Sequence, residues 1–147
     1  MNVVNSMKLS FISRSANESF ARSAVAAFLL PLDPTVAEIA DVKTAVSEAV
    51  TNAVVHAYPD SFGTVYIEVR LTDTGRAIIR IRDTGVGIAD IEQAMEPLFT
   101  TSTDERAGLG FAVMQSFMDK VTVRSTVGKG TTVILEKNII RSAYAAR

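Results

Sequence analysis

Glu48, Asn52 and His56 recur at intervals of four residues in Glu48-Ala-Val-Thr-Asn-Ala-Val-Val-His56. On a helix turning about 100° per residue they fall within an arc of about 80°. A carboxylate and an amide side by side on that arc can hold a metal ion and activate a hydroxyl. The arc lies roughly opposite the helix's main apolar stripe, so a solvated polar face is the alternative. Against that alternative, Ala49, Ala53, Val54 and Val55 surround the three residues with small or apolar groups.

Three further groups carry chemical potential. Asp83-Thr84-Gly85-Val86-Gly87 follows a strand directly. Its glycines let the backbone approach a ligand closely, and an aspartate at a strand end can accept from an amino group. A plain turn is the competing reading. Gly108-Leu109-Gly110 opens a helix, where free N–H groups and the helix dipole favour an anion, or where the chain simply needs a flexible entry. Gly130-Thr131-Thr132 opens the last strand, and a threonine hydroxyl there could support Asp83. A β-branched residue starting a strand is the alternative. The sequence contains neither the phosphate loop ending in Gly-Lys-Ser/Thr nor a Gly-x-Gly-x-x-Gly dinucleotide signature. An acid–amide pair with two glycine pairs suggests a phosphorylated ligand accompanied by a cation.

The elements that must position these groups are legible from periodicity. Met7–Ser13 alternates as a half-buried strand does. Ser15 and Glu18 have capping-box spacing ahead of a helix that can run to Pro31. Thr35 and Glu38 repeat that spacing before a helix reaching about His56, with Ile39, Val42, Val46, Val50 and Ala53 as its apolar stripe. Thr64–Leu71 with Arg76–Asp83, and Lys120–Val127 with Thr131–Lys137, read as two hairpins. A short helix is expected over Ala89–Met95 and another over Leu109–Met118. Phe99–Ala107 is polar and aperiodic and forms a candidate lid, in which Arg106 could neutralise phosphate charge or remain a solvated arginine. Strand, helix, helix, hairpin, lid, helix, hairpin gives an α+β fold, a two-layer sandwich of mainly antiparallel sheet with helices on one face. One domain over residues 1–137 is expected, with a tail at 138–147.

Composition narrows the function classes. The chain has 147 residues, 15 basic and 16 acidic, for a net charge of −1. That balance argues against a general nucleic-acid binder, which needs a basic surplus. Cysteine is absent, which excludes disulfides and thiolate metal sites. No apolar run approaches a membrane span and the N-terminus lacks a signal-peptide core, so a cytoplasmic protein is expected.

Taken together and in order, these motifs resemble those of the GHKL ATPase/kinase superfamily. Glu48 and Asn52 match its N box, Asp83-Thr-Gly85-Val-Gly87 its first glycine box, Gly108-Leu-Gly110 its second, and Gly130-Thr131 its late Gly-Thr. Asn17–Arg22, Val46–Ala53, Pro97–Thr101 and Phe117–Asp119 look like the anti-sigma-factor kinases of sporulating bacteria. The resemblance implies ATP and Mg²⁺ as cofactors. It assigns Asp83, supported by Thr131, to the adenine amino group and Asn52 to Mg²⁺. Gly85, Gly87, Thr100, Gly108, Leu109 and Gly110 fall in the nucleotide site by the same likeness. It makes Glu48 the general base, and Arg106 joins it as a catalytic candidate. It further implies three partners: a sporulation sigma factor of the F type, an anti-anti-sigma protein phosphorylated on serine, and a second copy of the chain as a homodimer. A nucleotide-dependent sigma-binding module without turnover, a stress-response anti-sigma kinase and a histidine-kinase catalytic domain are the alternatives.

Overall fold

A computed structural model describes residues 2–95 and 110–139. Five antiparallel strands form one sheet in the order β1-β2-β3-β5-β4. They are β1 (Val3–Ile12), β2 (Thr64–Thr72), β3 (Arg76–Asp83), β4 (Lys120–Thr126) and β5 (Gly130–Asn138). Helices α1 (Asn17–Phe28), α2 (Val36–Asn52), α3 (Ile91–Met95) and α4 (Gly110–Phe117) complete the regular elements of the described residues, with a 3₁₀ turn at Leu30–Leu32 and a π-helical turn at Ala53–Ala57.

Alternation builds the core. Val65, Ile67, Val69 and Leu71 of β2 are buried, as are Ala77, Ile79 and Ile81 of β3, while Tyr66, Arg70, Arg80 and Arg82 between them are exposed. The buried face meets Val42, Val46 and Val50 of α2, Ala21 and Val25 of α1, and Phe111 and Met114 of α4 in one cluster. Helix α2 packs against both α1 and α4. Each large aliphatic side chain taken out of water there contributes about 1.5–3 kcal/mol.

Start signals succeed at α2 and fail at α1. Thr35 caps α2 with the expected box: its hydroxyl accepts from the Glu38 N–H at 3.1 Å, and Glu38 accepts from the Thr35 N–H at 2.8 Å. No such box forms at Ser15. There the Glu18 N–H donates to the Ser15 carbonyl at 3.2 Å, and Ala16 is already helical. A turn wound straight into the helix leaves the Ser15 hydroxyl no N–H to cap. Asn17 instead ties the helix entry to β1, donating through Nδ2 to the Ile12 carbonyl at 2.8 Å.

The packed fold runs two residues past Lys137. The Asn138 N–H donates to Asp119 Oδ2 at 2.6 Å, and Ile139 is fully buried with its N–H on the Gly75 carbonyl.

Candidate nucleotide site

Helix α2 delivers the acid–amide pair to the interior rather than to water. Glu48 is 9% exposed and Asn52 is half-buried. The reason is the width of the helix's buried face: α2 is covered by the sheet, by α1 and by α4, so residues beyond the apolar stripe are enclosed as well. Asn52 Nδ2 is buried and has no hydrogen-bond partner among the described residues. A buried, unmet amide donor needs an explanation, because such groups destabilise the fold by about 1–3 kcal/mol. A site completed by a polar ligand supplies one.

The start of α4 closes on this pair. A Cβ built on Gly110 would lie 3.2 Å from Asn52 Nδ2, 3.3 Å from Asn52 Oδ1 and 3.5 Å from Glu48 Oε2. Gly110, the last residue of the second glycine box, therefore meets the N box in space, although it lies 58 positions after Asn52. Glycine lets the helix's first turn reach the amide and the carboxylate without crowding them.

Beside them opens a cavity of about 670 Å³, within the range of small-molecule sites. Asn52, Ala53 and His56 form one wall; Ile81, Asp83, Thr131 and Val133 come from β3 and β5; Gly87, Ile88 and Asp90 come from the following segment. Phe111 enters from α4. The lining is mainly apolar with a few polar groups, as a flat heterocycle with a polar edge requires.

Asp83 is the buried charge of the cavity, 7% exposed. Its Oδ1 accepts from the Gly85 N–H at 2.9 Å and the Thr131 N–H at 3.2 Å. Burial pushes its carboxyl above the ordinary range and outweighs those two N–H groups and the positive charge of Arg82, which pull it down. Both N–H groups end on Oδ1, which leaves Oδ2 for a donor from the cavity.

The Asp83–Gly87 turn is clamped from two sides. The Val86 N–H donates to the Ala57 carbonyl at 2.9 Å, and the Gly128 N–H to the Val86 carbonyl at 2.8 Å. Gly85 is not among the residues that line the cavity; a Cβ there would come 2.1 Å from the Ala57 carbonyl oxygen, so its lack of a side chain serves packing of the turn on the π-helical segment. Gly130 has φ of 121° and would bring a Cβ 2.1 Å from the Asp83 carbonyl oxygen, a position only glycine fills. Tyr58 donates through its hydroxyl to the Thr64 carbonyl at 2.7 Å and accepts from the Thr84 N–H at 2.8 Å. Composition gave no sign of that clamp.

Of the expected site residues, Asn52, Asp83, Gly87 and Thr131 line the cavity, and Glu48 and Gly110 adjoin it. Thr100, Arg106, Gly108 and Leu109, and with them the candidate lid, lie outside the described residues. His56, the third residue of the helical arc, is on the wall of the cavity.

The sequence matches the family of histidine kinase-like ATPase domains over residues 12–137. It is 54% identical over 143 residues to the anti-sigma F factor of Caldanaerobacter subterraneus subsp. tengcongensis, covering 97% of this chain and 99% of that one. It is 55% identical over 140 residues to the anti-sigma F factor of Geobacillus kaustophilus, covering 94% of this chain and 95% of the relative. In fold it resembles the RsbU and RsbW domains of a Mycobacterium tuberculosis protein, with a TM-score of 0.66 at 18% identity over 92% of this chain and 32% of the other. A blue-light activated histidine kinase of Erythrobacter litoralis gives 0.60 at 19% identity, over 86% of this chain and 42% of that one. With a GHKL-type sandwich whose boxes converge on one cavity, and near full-length similarity on both sides, the chain belongs to the anti-sigma F factor family of histidine kinase-like ATPase domains.

Proposed function

We propose that this anti-sigma factor binds and inhibits a sporulation sigma factor and uses ATP to phosphorylate a serine of the anti-anti-sigma protein that opposes it. The observation that carries the catalytic half is the meeting of Glu48, Asn52 and Gly110 at the edge of the cavity that holds Asp83. The sigma-factor partner follows from what the relatives' name says they oppose, and the phosphorylated antagonist follows from the motif resemblance alone. A homodimer acting in the cytoplasm is part of the same proposal.

The residues fit a magnesium nucleotide. Asn52 offers an amide with an unmet buried donor on one atom and an oxygen on the other. Mg²⁺ is commonly held by one or two protein oxygens together with phosphates, and Asn52 Oδ1 would be such an oxygen. The ion supplies neutralisation of phosphate charge. Asp83 Oδ2 accepts from the amino group of the base and orients it, with the apolar walls of the cavity excluding water from its faces. The α4 entry at Gly110 turns N–H groups toward the phosphates.

Glu48 is within reach of that entry and is buried, where charge acts more strongly than in water. It takes the proton of the incoming serine hydroxyl while the serine oxygen bonds to the γ-phosphorus and the bond to the β-phosphate oxygen breaks, leaving ADP. Most of the catalysis is positioning and charge neutralisation.

Incubating the full chain with labelled ATP and a candidate antagonist tests the reading. Acid-stable label on an antagonist serine supports it. Sigma binding without label on the antagonist leaves a binding module, and acid-labile label on a partner histidine leaves a histidine kinase.

A further inference from the structure

Ser125 lies on β4 directly opposite Thr131 of β5, outside the lining of the cavity. Its hydroxyl has three partners: the Ile88 N–H at 2.7 Å, the Gly130 carbonyl at 3.0 Å and the Thr131 hydroxyl at 2.8 Å. A serine hydroxyl owns one hydrogen and two lone pairs. The Ile88 N–H can only donate and the Gly130 carbonyl can only accept. All three contacts are hydrogen bonds in one assignment alone: Ser125 donates to Gly130 and accepts from both Ile88 and Thr131. The Thr131 hydrogen is then consumed, and Thr131 Oγ1 turns only lone pairs toward the cavity.

Asp83 adds the same polarity, since its Oδ1 is held by two backbone N–H groups. The corner made by Asp83 and Thr131 therefore presents acceptors and no side-chain donor. Such a corner favours a ligand edge rich in hydrogens, such as a primary amino group, and disfavours a carbonyl oxygen, which would face lone pairs. Buried polar groups left without partners are where selectivity is strongest.

We propose that Ser125 is a specificity-determining positioning residue, which fixes the Thr131 hydroxyl as an acceptor and so makes the cavity choose 6-amino over 6-oxo purine nucleotides. The inference rests on the nucleotide reading of the cavity. Loss of the Ser125 hydroxyl releases the Thr131 hydrogen, which can then donate to a 6-oxo group.

The test compares ADP with IDP, which differ at that position of the base, by titration calorimetry on the full chain. The unmodified chain is expected to prefer ADP. Ser125→Ala is expected to lower the ADP-to-IDP affinity ratio by about three- to tenfold, the size of one neutral hydrogen bond. Ser125→Thr, which keeps the hydroxyl, is expected to retain the ratio. In a Thr131→Val background, Ser125→Ala is expected to change it no further. Equal loss of both affinities in Ser125→Ala, with the ratio unchanged, assigns Ser125 a structural role and overturns the proposal. Should Ser125→Ala unfold, Ser125→Cys carries the same comparison, since a thiol is a weak partner in both directions. If the unmodified chain binds neither nucleotide, the nucleotide reading falls and this inference with it; binding with an unmoved ratio removes this inference alone.

Discussion

The Thr131 N–H donates to Asp83 Oδ1 at 3.2 Å, across 48 residues of sequence. Strand β5 thus grips the carboxylate at the end of β3 through its backbone, whatever side chain position 131 carries. The side chain of Thr131 remains available to the cavity, and Asp83 is held in place beside it.

Asp83→Asn keeps an oxygen for both backbone N–H groups but turns an amide nitrogen toward the ligand. Affinity for ADP and for ATP is expected to fall by about 1.5–3 kcal/mol, roughly ten- to a hundredfold. Calorimetry with both nucleotides checks this; full binding by the variant removes Asp83 from base recognition.

The same residue makes a pH prediction for the ligand-free protein. Burial raises the folded carboxyl above its ordinary value. The folded state therefore holds the proton more tightly than the unfolded chain. This contribution to stability is fully present below the ordinary carboxylate range and is lost as pH rises through the raised value. Denaturant melts across that window should show the decline, and Asp83→Asn should flatten it and melt higher than the parent at neutral pH.

Glu48→Gln preserves shape and removes the carboxylate proposed as the base. Phosphoryl transfer is expected to drop by about 10²–10⁴-fold, with ADP affinity changed far less. Rapid-quench transfer assays beside equilibrium binding separate the two. An equal loss in both would give Glu48 a binding role only.

Gly110→Ala places a methyl at 3.2–3.5 Å from the Asn52 amide and the Glu48 carboxylate. Alanine suits a helix, so the fold should survive while the acid–amide pair shifts. A loss of about 1–3 kcal/mol in Mg-ATP binding is expected, smaller when magnesium is left out. Titrations with and without the ion decide, and identical losses would separate Gly110 from the Asn52 contact.

Much of the fold was written in periodicity. Both hairpins and the Thr35 cap are where the two-residue and helical patterns put them, because there local preference and burial agree. The convergence of Asn52, Asp83 and Thr131 on one cavity was legible only through the joint order of motifs, since each motif alone was an ordinary turn or helix entry. Burial of Glu48 was obscured because spacing gives the angle between residues on a helix but not how many neighbours cover it. Ser125 carried one usable signal: once the second hairpin's turn is set at 127–129, it must pair with Thr131. The Ser15 cap failed because the Ser15 carbonyl reached the Glu18 N–H first.

The π-helical turn at Ala53–Ala57 is, in register, one residue more than an α-helix needs. That surplus residue advances everything after it by about a third of a turn, and so decides which way the Ala57 carbonyl and the Tyr58 ring leave α2. Excising a single residue, such as the exposed Val55, would wind the segment back into ordinary helix. Both grips on the Asp83 loop from that side would swing off their targets, although Glu48, Asn52 and the three glycine motifs would all be unchanged. An insertion of one residue, invisible to any motif search, is therefore as much a part of the site as the carboxylates it serves.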